Sequence, residues 1–213
     1  YSDSELKRLN AHLVKMEVQI ARAMIIHQML GTRISDTLTL RKDCLYKNGS
    51  QDMIVIYQPK TRRYEKPISQ ELAQLIGKAV SANEHYPESI YIFAAENKPE
   101  KPISYRTLQD KVLRMIYEKD IRDDNGNLFG FGTHMFRHCY GVKLTELHVD
   151  DWTIAKLLGH KGVRSVQYYR KMSNQRLADE TREVRNLMSQ IILANLDGWG
   201  EEYEQIRQDV GIE

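Results

Sequence analysis

Cysteine is nearly missing from this chain: Cys44 and Cys139 are the only two in 213 residues. Two thiols cannot build a disulfide framework, which points to a reducing compartment and to both cysteines as small hydrophobes rather than reactive groups. Net charge is also scarce, since 31 lysines and arginines against 29 acidic residues leave +2. A uniformly basic nucleic-acid-binding chain is thereby excluded, and any electrostatic footprint has to be local. No run of about 18 apolar residues is present, and no charged leader with a following apolar segment opens the chain. The expectation is a soluble, cytoplasmic protein with no membrane partner. Internal repeats and low-complexity segments are absent as well, so the length reads as one domain.

What is present is mostly helical patterning. Tyr1-Ser2-Asp3-Ser4-Glu5 reads as a helix entry with Ser or Asp as its cap. Residues 14 to 30, VKMEVQIARAMIIHQML, carry apolar positions at helical spacing and stop at Gly31, which predicts a core helix. Ser35-Asp36 offers a cap for a short helical turn. LRKDCLY, KNGS and DMIVIY read as a hairpin around Asn48-Gly49, with RRYEKPI as a third strand. Ser69 and Ser104 each open an amphipathic helix, and the stretch between those helices is a connector with one short extended piece. IRDDNGNLFGFG is a loop, Thr133 can cap the helix of HMFRHCYGVKLTEL, and Asp150 or Asp151 caps WTIAKLLG. From Ser173 a long polar and amphipathic helix runs into an acidic tail. The fold class is therefore mainly α with a small antiparallel β-sheet near the N-terminal third, an α+β architecture.

Four local signals carry chemistry. In GTRISDTLTL, Arg33 sits between the end of one helix and the start of a short one, where backbone donors and a guanidinium can face an anion together. Taken alone it is equally a surface arginine paired with Asp36. In QPKTRRYEKP, Lys60 lies at the turn between two strands, and Lys60, Arg62, Arg63 and Lys66 fall within seven residues, the highest basic density in the chain. A polyanionic backbone is a natural partner for such a hairpin.

The third signal, THMFRHCYG, sets His134, Arg137 and His138 within about one turn of a helix, where i, i+3 and i+4 positions share a face. The two histidines have metal-ligand spacing, but Met135 stands where the zinc-protease pattern needs Glu. An arginine clamp beside imidazole donors suits an anion better, so no metal and no cofactor are expected. The fourth, LLGHKGVRSVQYYRKM, places His160 after a glycine helix stop, with Tyr168 and Tyr169 following. A tyrosine pair by itself is ordinarily structural, its rings burying apolar area while each hydroxyl finds one partner.

The order of GTRISD, a hairpin lysine, HMFRH, LGH and a tyrosine nine positions beyond that last histidine resembles the catalytic domain of the tyrosine recombinases, or phage integrase family. The likeness runs from the helix before Arg33 to the helix after Tyr169. By position it implies that Arg33 and Arg137 are the two family arginines, Lys60 the hairpin lysine, and His134 the first histidine of the His-x-x-Arg box. His160 falls where the family has His or Trp, and Tyr169 where it has the nucleophile. Asp36 takes the acidic position that supports the first arginine, and His138 adds a supporting imidazole. Tyr168 is left as a packing neighbour. The hairpin departs from the Gly- and Lys-rich turn common in the family, so Lys60 is preferred to Lys66 only because it lies at the turn. A separate N-terminal DNA-binding domain, usual in the family, has no counterpart in this chain.

The implied activity is site-specific DNA recombination through a 3′-phosphotyrosyl intermediate, of the DNA integration and excision type and encoded on a mobile element, with the outcome open among integration, excision, transposition and chromosome resolution. Double-stranded DNA would be the partner, with Lys60, Arg62, Arg63 and Lys66 on its backbone. The resemblance further implies a tetramer on DNA and association with the nucleoid of a prokaryotic or phage-borne host system. Residues 1–172 would form the catalytic core, and 173–213 a C-terminal helix and tail that either pack on the same domain or dock on a neighbouring subunit. The alternatives at this stage are a type IB topoisomerase, which uses similar chemistry to relax supercoils, and a DNA-binding regulator that keeps the fold without the reaction. A metal hydrolase using His134 and His138 is more distant.

Overall fold

The computed structural model describes residues 1–58, 62–83, 86–147, 149–159 and 174–194, with residues 205 and 208. Lys60, His160, Tyr168 and Tyr169 lie outside the described residues. The chain opens with helix α1 (Asp3–Leu13), whose N-terminus is closed by a capping box: the Ser2 hydroxyl accepts from the Glu5 N–H, and the Glu5 carboxylate accepts from the Ser2 N–H. Helix α2 (Val18–Leu30) follows. Sequence periodicity runs on through residues 14 to 17, but the helix does not. Glu17 at ψ 127° is extended, and Val14 is the cap of α1 rather than the first turn of a longer helix. Apolar spacing is blind to such a joint because both helices face the same core. Asn10 and Gln28, both buried, hold them together by exchanging amide hydrogen bonds of 3.2 and 2.8 Å.

Helix α2 is buried along nearly its whole length and is the centre of the molecule; α4 (Gln70–Ala82), α6 (Thr133–Glu146) and α8 (Asn174–Ala194) all pack against it. The expected short turn is α3 (Ile34–Leu38), capped by Arg33 and not by Ser35. Strands β1 (Leu45–Asn48), β2 (Gln51–Gln58) and β3 (Arg62–Pro67) form an antiparallel meander in that order, turning at Asn48-Gly49 with Gly49 at φ 61°. The register pairs Ile54 with Lys66 and Ile56 with Tyr64. Both isoleucines are fully buried, so the period of two along β3 sends Tyr64 and Lys66 toward the core side.

Ser69 and Ser104 cap α4 and α5 (Tyr105–Glu118), each accepting from the backbone three residues on, and Asp150 caps α7 (Asp151–Leu157). The connector between α4 and α5 holds a second hairpin, β4 (Ala94–Ala95) with β5 (Lys98–Pro102), in place of a single extended piece. Its strands are too short and too rich in proline and lysine to show alternation. Most of the core is one cluster centred on α2. A smaller one, with Tyr140, Leu144, Leu157, Leu158, Val184 and Met188, joins α6, α7 and α8.

Helix α8 packs on its own chain. Arg185, buried, donates to the Ile68 carbonyl at 2.9 Å and to the Gln51 side chain at 3.3 Å, while Ser189 and Ser69 share a 2.7 Å hydroxyl contact. No helix among the described residues is long and apolar enough to cross a membrane.

Candidate active site

Helix α2 ends where Gly31 adopts φ 62°, a left-handed conformation that glycine reaches without strain. Space forbids a side chain as well, because a Cβ at Gly31 would lie 2.4 Å from the Tyr140 ring. The chain then turns through buried Thr32 to Arg33, whose side chain is 47% exposed and sits 4.0 Å from the buried Asp36 carboxylate. Arg33 thus stands at the rim, loosely held from beneath.

Arg137 approaches from α6 and is only 4% exposed. One terminal nitrogen donates to the Gly31 carbonyl at 3.2 Å and the other to the Leu158 carbonyl at 2.6 Å. These are C-terminal carbonyls of α2 and α7, which lack partners within their own helices and carry the negative end of the helix dipole. A buried guanidinium is therefore well received there, and it locks two helix ends into one geometry. Burial, and then the nearby charge of Arg33, press against protonation of Arg137. Since arginine does not give up its proton in proteins, the pair keeps an excess of positive charge that a bound anion would relieve.

A buried chain of hydrogen bonds fixes the two arginine-bearing segments relative to each other. His27 Nε2 lies 3.0 Å from the Thr133 carbonyl, and its Nδ1 lies 3.0 Å from the Thr37 hydroxyl, which in turn is 2.8 Å from the Thr32 hydroxyl. A carbonyl only accepts, so Nε2 carries the proton. Nδ1 then accepts from Thr37, and Thr37 from Thr32. Thr32 adjoins Arg33 and Thr133 adjoins His134, so one neutral imidazole sets the distance between the first arginine and the His-x-x-Arg helix. Burial holds the His27 pKa down to about 4, in keeping with that neutral form. Sequence reading missed this residue because α2 is apolar or buried on every side, so a histidine within it carries no periodic signal.

Lys66 corrects an expectation. It is 1% exposed, donates to the Leu30 carbonyl and lies with its ammonium 5.3 Å from the centre of the Tyr140 ring. Enclosed in this way, it is no part of the basic surface of the hairpin, where it had been grouped with Lys60, Arg62 and Arg63. Burial, followed by the charges of Arg137 and Arg185, lowers its pKa to about 7. It ties β3 to the end of α2 through the Leu30 carbonyl, one residue before Gly31. Arg63, by contrast, is 58% exposed and pairs with Glu65 at 2.7 Å. Arg62 opens β3.

His134 and His138 are both exposed on α6, one turn apart on either side of Arg137 in sequence. Among the described residues, no group of three or more His, Cys, Asp or Glu side chains is placed to hold a metal ion. Cys44 is fully buried, and burial pushes its thiol up to about 12, so it carries no reactivity. Tyr64, on β3, completes the enclosure. Its ring lies against Gly159, where an added Cβ would stand 2.6 Å away, and its hydroxyl is buried. Arg33, Asp36 and Arg137 are thus brought together, with His134 one turn from Arg137. Lys60, His160 and Tyr169 fall outside the described residues.

Residues 2–176 match the Phage integrase family model. The chain is 31% identical over 178 residues to "Transposase B from transposon Tn554" of Staphylococcus aureus, covering 82% of this chain and 28% of that protein. It is also 25% identical over 139 residues to "Tyrosine recombinase XerC" of Lactobacillus leichmannii, covering 65% of this chain and 42% of that one. The chain therefore spans well under two thirds of the length of these relatives. Among solved structures, the XerH site-specific recombinase bound to difH substrate in a pre-cleavage complex superposes with a TM-score of 0.60 at 18% identity, over 80% of this chain and 49% of that one. The XerA recombinase does so with a TM-score of 0.54 at 16% identity, over 86% and 62%. These structural likenesses establish the fold, and the family match across most of the sequence establishes kinship: the chain belongs to the phage integrase family.

Proposed function

We propose that this chain is the catalytic part of a site-specific DNA recombinase that serves the movement of a mobile element. The observation that carries the reading is the junction of Arg33 with the buried Arg137 at the end of α2, two guanidiniums from distant segments in a site that favours an anion. A phosphodiester resists attack because its non-bridging oxygens are negative, and preorganised guanidiniums offset that charge as it develops. Arg33 and Arg137 clamp the scissile phosphate, and His134 and His160 add donors.

Tyr169 is the nucleophile. Its oxygen bonds to phosphorus as the P–O5′ bond breaks, His134 helps remove the phenol proton, and Lys60 protonates the departing 5′ oxygen. A phenol with an ordinary pKa of about 10 leaves more readily than an alkoxide, so the 3′-phosphotyrosine keeps the bond energy and a 5′ hydroxyl of another strand can reverse the step. The arginines supply the charge that a metal ion would otherwise bring. Exchange between two duplexes cuts four strands, which calls for four such sites on DNA. Residues 1–172 form the catalytic core in this reading, and α8 belongs to the same domain.

The test is incubation of the protein with a pool of nicked duplexes of randomised sequence around the nick, then denaturing electrophoresis and peptide mapping of the adduct. A covalent adduct on Tyr169, absent from Tyr169→Phe, is expected. An adduct on Tyr168, or one that persists in Tyr169→Phe, would overturn the assignment. Relaxation of plasmid DNA with no preferred site, and no strand exchange, would favour a topoisomerase instead.

A further inference from the structure

The Tyr64 hydroxyl is buried and has no hydrogen-bond partner among the described residues. Leaving a buried hydroxyl unpaired forfeits its hydration without replacement, so a persistent case calls for an explanation. Its neighbours make the case specific. The ring is seated on Gly159, the last described residue of the α7 end, which Arg137 also grips through the adjacent Leu158 carbonyl. Along β3 the residue shares the core-side face with Lys66, which is occupied by the Leu30 carbonyl. Asp36, Arg137 and Arg33 all lie near enough for their charges to act on the phenol. Among the described residues the hydroxyl is thus an unspent neutral donor, close to the groups that frame the proposed anion site.

We propose that Tyr64 is a further residue of the reaction site, its phenol O–H donated to a non-bridging oxygen of the phosphodiester that Arg33 and Arg137 hold. This rests on the reading of the site as one for DNA strand transfer. Of these neighbours Arg33 is the most loosely held, about half exposed and 4.0 Å from Asp36, so it is the side chain that has to shift for a phosphate oxygen to reach the hydroxyl. Burial, together with the Asp36 carboxylate, raises the phenol pKa, so the group remains a donor at neutral pH. It does not compete with Tyr169 as a nucleophile, because it never needs to lose its proton.

Tyr64→Phe keeps the ring on Gly159 and removes only the oxygen. On a nicked duplex that traps the wild type, the variant should form the adduct about 10²-fold more slowly at saturating DNA, with unchanged DNA affinity. Its urea midpoint should equal or exceed that of the wild type, since no intramolecular hydrogen bond is lost. The decisive arm replaces one non-bridging oxygen at the scissile phosphate by methyl, as separated diastereomers. On the diastereomer that lacks the contacted oxygen, wild type and variant should react at the same rate; on the other, the deficit should remain. An unchanged rate in Tyr64→Phe, an equal deficit on both diastereomers, or a lowered urea midpoint would each overturn the proposal. If the wild type itself traps no DNA, it is the strand-transfer reading that fails, so the two failures are distinguishable.

Discussion

At the scale of single residues, the side chain that sets the geometry of the candidate site touches none of its charged groups. His27 is fully buried and works as a neutral bridge from Thr37 to the Thr133 carbonyl. Its pKa, about 4 in the fold against an ordinary 6.5, fixes the sign of its pH dependence. Above 6.5 the imidazole is neutral in both states and the bridge contributes fully. As pH falls from 6.5 toward 4 the unfolded chain takes up a proton that the folded chain refuses, and stability is lost by at most about 1.4 kcal/mol per pH unit. His27→Gln can still donate to Thr133 but does not titrate. Urea midpoints between pH 7 and pH 4.5 should therefore fall more steeply for the wild type than for the variant. Parallel curves would show that the ring is not held neutral.

At the scale of elements, the ends of helices matter more than their middles. The C-termini of α2 and α7 meet at Arg137, and Lys66 secures α2 from the β3 side, so the site is a convergence of helix ends fastened by buried cations. The Lys66 pKa of about 7, below the usual 10.5, makes this fastening testable. Below pH 7 the amine is charged in both states and its burial is fully opposed. Between 7 and 10.5 the unfolded chain holds a proton that the folded chain does not, so stability rises with pH. The wild type should gain on Lys66→Met as urea midpoints are compared at pH 7 and then pH 9.5; a constant gap would mean that the ammonium stays charged in the core.

The same scale explains what was legible in the sequence. The caps at Ser2, Ser69, Ser104 and Asp150 were readable because a cap bonds within three residues of itself. The break before α2 and the β4–β5 hairpin were not, since the first hides under continuous apolar spacing and the second lacks alternation. His27, Tyr64 and Lys66 owe their places to partners far along the chain. For Tyr64 and Lys66 a signal was at hand: the period of two through Tyr64, Lys66 and Ile68 sets both on an apolar face.

For the whole molecule, a net charge of +2 means that the attraction to DNA which the proposed function requires has to come from where the cations stand and not from their number. The hairpin is the densest basic segment, yet its members are unequal: Arg63 is 58% exposed, whereas Lys66 is sealed beneath the sheet. Each phosphate neutralised by an exposed cation releases counterions and steepens the dependence of log affinity on log salt by about 0.9. A cation locked in the core contributes no such release, however close it lies in sequence. Binding to a non-specific duplex, measured between 50 and 200 mM salt, should therefore show a slope shallower by about 0.9 for Arg63→Gln and an unchanged slope for Lys66→Met. The affinity of Arg63→Gln should drop alike on every sequence tested, because a backbone contact carries no base information. If Lys66→Met flattens the slope as much as Arg63→Gln does, then Lys66 reaches the DNA and the inward face of β3 opens when the duplex binds.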